Sequence, residues 1–270
     1  ENNEIFDVIV FAQRNLEKVT IPTFIKKINA CAFWRCTKLH NVEIPSNSEL
    51  QFIGECAFYD TLIESILIPR HVTKLEDLIF NICKNLKKIY FEDNSELSVI
   101  DLNIFLGTLI EKLTIPENVV EIYDSLYIYP RTPIKLDINS NNKHIVNYGD
   151  ELILGKTDDN KEIFDVIVIA LRKIEKLTIP SYIKKINPYA FIRTDLQRID
   201  IPTNSELQFI GEGAFDFLNI QSIFLPSHLN QVYNDFIKEL DNLQIIEISE
   251  KSQLNLFEIN NYKGIIMVPA

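Results

Sequence analysis

Apolar residues fall along this chain in a compound pattern that recurs every 22 to 24 residues. Residues Leu39 to Pro69 (LHNVEIPSNSELQFIGECAFYDTLIESILIP) hold one full cycle. It reads Leu-x-x-Val-x-Ile-Pro, a polar link, Leu-x-x-Ile-x-x-x-Ala-Phe, a second polar link, and the start of the next cycle. The apolar residue that closes the first half falls at Ile21, Ile44, Ile68, Phe91, Ile115 and Ile138, then at Ile179, Ile201, Leu225 and Ile248. Before each of them polar and apolar positions alternate: Val19 and Ile21 on one side, Lys18 and Thr20 on the other. A period of two predicts strands half buried on one face. They are expected at Leu16–Ile21, Leu39–Ile44, Ile63–Ile68, Leu86–Phe91, Ile110–Ile115 and Pro133–Ile138. The second run is Ile174–Ile179, Leu196–Ile201, Ile220–Leu225, Leu243–Ile248 and a last strand at Ile265–Val268. A Pro after most of them removes a ladder donor and ends the pairing.

The second half of the cycle has a different spacing. Ile28 leads to Ala32 and Phe33, Ile53 to Ala57 and Phe58, Leu75 to Phe80, Ile100 to Phe105 and Ile122 to Tyr127. Later, Ile186 leads to Ala190 and Phe191, and Ile210 to Ala214 and Phe215. Steps of four and five predict a short helical turn or an irregular return, with the Phe rings stacked in a spine. A unit this small cannot bury its own apolar face, so neighbours stack into one continuous core. The repeat length suits a leucine-rich repeat solenoid: a parallel β-sheet on the concave face and short helical or irregular convex returns.

The step from Ile138 to Ile179 is too long for one repeat. It holds ELILGKTDDNKEIFDVIVIA (Glu151 to Ala170), whose second half nearly repeats EIFDVIVFA at Glu4 to Ala12, itself read as a strand. Leu16–Pro22 (LEKVTIP) returns as Ile174–Pro180 (IEKLTIP), and NSELQFIGE occurs unchanged at Asn47–Glu55 and Asn204–Glu212. The chain is a duplicated block with a period of 157–158 residues. The interval predicts a β-hairpin: Leu152–Leu154, a polar TDDN turn, then Val166–Ile169. The expected organisation is a single solenoid over 1–270. It comprises a first array over 1–138, a β insertion plus linker over 139–173 and a second array over 174–270. The chain opens in mid-motif on Glu1 and stops at Pro269-Ala270 without a polar cap, so it is read as a piece of a longer protein.

Composition adds little to the fold but narrows the function. Apolar content of 46% with 24% charged residues is that of a soluble chain, with no run of 18 apolar residues. A net charge of −11 argues against a nucleic-acid partner. No nucleophile motif, phosphate-binding Gly loop or metalloprotease helix occurs, so the chain is read as non-enzymatic and free of cofactors and metals. His71 and His228 are equivalent under the duplication and read as surface turn residues. Thr157-Asp158-Asp159-Asn160 lacks the ligand order of a calcium loop and reads as a solvated turn. Cys36 and Cys83 share a slot with Thr61, Thr108 and Thr194, which marks a small packing position. Cys31 and Cys56 lie one repeat apart as stacked neighbours, either free or paired.

The candidate site is the outward face of the strands. Three places before each closing residue stand Lys18, Asn41, Ser65, Lys88, Lys112, Lys135, Lys176, Arg198, Ser222 and Ile245. Six of these ten are basic in an acidic chain. One place before stand Thr20, Glu43, Leu67, Tyr90, Thr114, Asp137, Thr178, Asp200, Phe224 and Glu247. With strands about 4.8 Å apart, the first row forms a basic ridge on the concave sheet, with Leu67, Tyr90 and Phe224 as apolar points beside it. Such a face suits a protein ligand, with the aromatics as anchors and the ridge steering acidic groups. Exposed strand lysines also serve solubility alone, by discouraging edge pairing.

The cycle IPSNSELQFIGECAFYDTLIESILIP resembles the BspA-like leucine-rich repeat family: Leu-x-x-Ile-x-Ile-Pro, then Ile-Gly-x-x-Ala-Phe, often with a Cys three residues on. Ile53-Gly54 with Ala57-Phe58, and Ile210-Gly211 with Ala214-Phe215, carry the likeness. The Ile- and Asn-rich dialect is similar to the expansions of this family in parasitic protists, trichomonads especially. The resemblance covers most of the chain, except the first half of 139–173. It implies a cell-surface or secreted adhesion or recognition protein, an adhesin or surface antigen that binds a host-surface or matrix protein. It brings no catalytic residues to carry over. The alternative of the same fold is an intracellular, cytoplasmic interaction scaffold.

Overall fold

The computed structural model describes residues 7–124, 134–171, 174–192, 194–233, 236, 240–250, 252, 254 and 264–268. The chain divides into two compact units, one of residues 1–122 and 126–143, the other of 123–125 and 144–270. Each is built from stacked coils carrying two rows of parallel strands, as the repeat predicts.

In the first unit the alternating strands pair in register: Lys18–Thr20 with Asn41–Glu43, Ser65–Ile68 with Lys88–Phe91, and Lys112–Ile115 with Lys135–Ile138. Their burial alternates as the period of two requires, with Ile66 and Ile68 buried and Ser65 exposed. The expected start of the last strand at Pro133 lies outside the described residues, as do Glu4 to Phe6 and Tyr127. The returns hold a second row: Val8–Ile9 pairs with Lys27–Ile28, which pairs with Phe52–Ile53, and Leu75 bridges to Ile53. Val8–Ile9 lies within the strand read at Glu4 to Ala12; Lys27–Ile28 and Phe52–Ile53 are too short to show a period and leave no sign in the sequence.

Of the two predicted forms of return, the irregular one prevails. Helical turns are confined, among the described residues, to a 3₁₀ segment at Leu102–Phe105. Elsewhere two successive tight turns carry the chain around. Ala32 N–H donates to Asn29 O and Cys36 N–H to Phe33 O, with Cys31 (φ 58°) and Arg35 (φ 54°) third in each turn. Positive φ at that place is the type II pattern, which favours Gly. Cys56 and Asp60 repeat it one coil on, and Gly213 and Phe217 in the second unit. A non-Gly residue there costs about 1 kcal/mol. The cost is offset because Cys31, Phe33 and Arg35 donate to Glu55, Ala57 and Tyr59 of the next coil. The turns thus continue the ladder and aim each Phe inward. Phe33, Phe58, Phe80 and Phe105 stack at 5.1, 5.9 and 6.3 Å between centroids, all fully buried.

Gly54 lies where coils touch: a Cβ there would meet Ala30 N at 2.5 Å. The Cys/Thr slot is a packing position. Cys83 Sγ donates to Phe58 O at 3.0 Å, and Thr194 Oγ1 donates to Phe191 O at 2.8 Å. Cys31 and Cys56 are free thiols. Burial, then the neighbouring Cys31 and Glu55, push the Cys56 thiol up to about 11.

In the second unit the hairpin forms where the sequence places it. Leu152–Gly155 pairs antiparallel with Val166–Ala170, and Val146–Tyr148 pairs antiparallel on its other side. Val166–Ala170 then pairs in parallel with Lys185–Ile186, and Phe209–Ile210 and Gln231–Val232 follow. The hairpin is therefore the first part of the return sheet. The other row runs Lys176–Thr178 with Arg198–Asp200, and Ser222–Leu225, Ile245–Ile248 and Ile265–Met267 in order. Phe191 and Phe215 stack at 5.4 Å, and Phe236 meets Phe215 edge-on at 6.4 Å.

Candidate protein-binding face

The strand ladder fixes which outward side chains are neighbours. In the first unit, register pairs Lys18 with Asn41, Ser65 with Lys88, and Lys112 with Lys135, all exposed. The same ladder sets Leu67 beside Tyr90 and Thr114 beside Asp137. Leu67 is half-buried, whereas Tyr90 is 52% exposed, an unusual place for a large aromatic side chain.

The basic row is less uniform in charge than its spacing alone indicates. Lys112 Nζ lies 2.8 Å from Asp137 Oδ2. That hydrogen bond and charge hold the Asp137 carboxyl below its ordinary range, and Lys135 adds to the effect. Lys88 has no such ion pair among the described residues. Two shallow grooves flank Tyr90. One, of about 570 Å³, is lined by Lys87, Lys88, Leu109, Glu111 and Lys112; the other, of about 560 Å³, by Glu92, Asp93, Asn94, Thr114 and Glu117. The Tyr90 ring thus stands between a mostly basic groove and an acidic one.

In the second unit, Lys176 and Arg198 are register partners, both exposed. Arg198 Nε donates to both carboxylate oxygens of Asp200 at 2.9 Å. Phe224 is half-buried against the unit's core, with Glu247 and then Met267 beside it in register. It is less exposed than Tyr90.

Sequence reasoning missed Leu109, 50% exposed in the basic groove, and the acidic groove itself. A signal existed for Leu109. It stands just before the buried strand-opening Ile110, as exposed Leu62 stands before Ile63. The histidines join turn contacts: His71 Nδ1 lies 2.9 Å from Glu96, and His228 Nδ1 lies 3.0 Å from Ser205 O. In the TDDN turn, Asp158 accepts from the Asn160 N–H at 3.0 Å. Among the described residues no helix is long and apolar enough to cross a membrane.

The sequence profile described as BspA type leucine rich repeat region matches residues 5–131 and 168–264, in six copies. No curated protein sequence matches the chain. Solved structures are similar in fold. The pneumococcal vaccine antigen PcpA has a TM-score of 0.58 at 21% identity, over 88% of this chain and 65% of that one. A leucine rich cell surface protein of Faecalibacterium prausnitzii has 0.56 at 20%, over 94% and 79%. A leucine-rich repeat protein of Eubacterium ventriosum has 0.57 at 18%, over 89% and 62%. The chain spans less than two thirds of the first and third of these. At such identities the likeness is one of fold.

Proposed function

The chain belongs to the BspA-type leucine-rich repeat family, and from that premise we propose a recognition protein, acting on a cell surface or after secretion, that adheres to a protein of a host surface or matrix. The family and fold are typically those of non-enzymatic protein-interaction modules. One observation carries the choice of surface. Tyr90 stands exposed between a groove edged by Lys88 and one edged by Glu92 and Asp93. An aromatic anchor flanked by opposite charges suits a protein ligand: the ring supplies buried area and the charges set orientation and on-rate. One structural neighbour, from Faecalibacterium prausnitzii, is a cell surface protein, which favours the same location. A second reading, an intracellular scaffold, draws on the four unpaired thiols, which fit a reducing compartment.

Two measurements separate these readings. Antibody labelling of intact source cells should stain them before permeabilisation; staining only afterwards leaves the scaffold. A photo-crosslinking side chain at position 90 should capture a surface protein that the same group at Ile163, exposed elsewhere, does not. Lys88→Glu with Lys135→Glu should weaken that capture about tenfold and flatten its salt dependence, as steering charges require. Lys112→Glu should do less, since Asp137 already engages Lys112. Equal capture from both positions would sink the Tyr90 face.

A further inference from the structure

The coils sort the four cysteines into two kinds. Cys36 and Cys83 are buried, and each sulfur has a backbone partner of its own: Cys36 Sγ donates to Gln13 O at 3.6 Å, and Cys83 Sγ to Phe58 O at 3.0 Å. Between them in the stack stands Thr61, whose Oγ1 lies 3.3 Å from Cys83 Sγ. Cys31 is exposed and Cys56 half-buried. They hold the same place in successive coils, with the same left-handed backbone at φ 58° and 53°. The ladder joins the two coils at this place: Cys31 N–H donates to Glu55 O at 2.9 Å, and Phe33 N–H to Ala57 O at 2.8 Å. Neighbouring strands run about 4.8 Å apart, inside the Cα separation of about 4.4–6.8 Å that a disulfide spans.

The second unit shows which way a side chain leans here. The counterparts of Cys31 and Cys56 are Tyr189 and Gly213, also left-handed, with Tyr189 N–H donating to Glu212 O at 2.9 Å. A Cβ at Gly213 would meet Tyr189 Cε1 at 2.5 Å and Cδ1 at 2.7 Å. The two positions therefore share one space, which a Tyr beside a Gly fills in one copy and two thiols share in the other. Tyr189 stays half-exposed although Leu152–Gly155 covers the strand edge before it, so access to this place does not depend on what borders that edge. In the first unit the thiols act on each other. Burial leads the causes that push the Cys56 thiol up to about 11, and Cys31 follows, through its charge and a side-chain hydrogen bond.

We propose that Cys31 and Cys56 are a reversible dithiol–disulfide pair, oxidised by small disulfides into a staple between their two coils, while Cys36 and Cys83 take no part. Cys31, the exposed thiol, attacks first, as its thiolate. It displaces one half of the small disulfide as a thiolate, which takes up the proton that Cys31 lost, and a mixed disulfide remains on Cys31. Cys56 then gives up its proton, attacks the Cys31 sulfur and expels the other half as a second thiol. Two protein thiols are oxidised to one disulfide, and one small disulfide is reduced to two thiols. In stacked coils the Cβ atoms start about 4.8 Å apart, above the roughly 3.5–4.5 Å of a relaxed bridge, so the bond is strained and readily reduced.

The test incubates the full chain with oxidised glutathione at neutral pH and maps its thiols by mass spectrometry. One intramolecular disulfide joining Cys31 to Cys56 is expected, with Cys36 and Cys83 still thiols, and dithiothreitol should restore all four. The thermal unfolding midpoint of the oxidised chain should rise by at least about 3 °C, since the bridge restricts the unfolded chain. Cys56→Ser should stop at the glutathione mixed disulfide on Cys31, with no such rise. Cys31→Ser should react at least tenfold more slowly than the wild type, because Cys56 holds its proton. A wild-type chain that keeps all four thiols, or holds glutathione on Cys31 without closing the bridge, would overturn the proposal. So would a bridge that includes Cys36 or Cys83, a bridge between two chains, or a Cys31–Cys56 bridge without the thermal rise.

Discussion

One sequence, EIFDVIV followed by FA or IA, occurs twice in this chain and meets two surroundings. In the copy at Glu162–Ala170 the strand Val166–Ala170 is buried between Leu152–Gly155 and the next coil; at the earlier copy, Val10 and Phe11 are exposed. Their inward hydrogen bonds match within 0.1 Å. The difference teaches that sequence fixes the face a strand offers its own coil, while burial of its edge depends on what lies beside it.

The comparison breaks most clearly under charge insertion. Val168→Lys places an ammonium at a 2% exposed site and should cost about 4 kcal/mol. Val10→Lys should stay within about 0.5 kcal/mol. Urea unfolding measures both, and equal losses would mean that the two edges are equally covered.

Next comes the carboxylate. Asp165→Ala leaves Thr157 and Lys184 without their acceptor and should cost about 2 kcal/mol. Asp7→Ala removes only an exposed pair at 3.8 Å and should cost less than about 0.5 kcal/mol. The Asp165 carboxylate should also show in the pH dependence of stability. Burial raises the Asp165 pKa, but the Thr157 hydrogen bonds and Lys184 outweigh it and the net shift is downward. A carboxylate with a lowered folded pKa stabilises above its unfolded value, about 4, and the contribution fades as pH falls through the folded value. Acid titration of stability below pH about 4 should therefore be steeper for the wild type than for Asp165→Asn.

The smallest effect tests where the copies agree. Lys27 Nζ lies 4.9 Å from the Phe52 ring and Lys185 Nζ 5.5 Å from the Phe209 ring, at equivalent places. Lys27→Met and Lys185→Met should each cost about 0.5 kcal/mol and differ by less than the error of the measurement. A large difference would show that the coils, and not only their edges, depart from each other.

Much of this architecture is legible in the residues because its signals are periodic. Val19, Val42 and Ile66 mark the strand row, Phe33, Phe58 and Phe80 the spine, and ELILG with VIVIA the hairpin. What escapes has no periodic signal. Most return strands are only two or three residues long, and the left-handed turn positions hold Cys31, Leu78 and Tyr189 as well as Gly213. In the candidate face, the outward rows can be counted from the sequence. The pairing of Lys112 with Asp137 cannot, because it depends on a cross-strand diagonal set by register. Nor can the acidic groove, which draws Glu92 and Glu117 together from two successive coils.

The most direct test of the central claim, that equal sequences take their edge protection from what lies beside them, is residue-resolved amide exchange on the intact chain. Val166 and Val168 should exchange slowly in this chain, and Val8 and Val10 at least a hundredfold faster. Equal protection in both copies would contradict it.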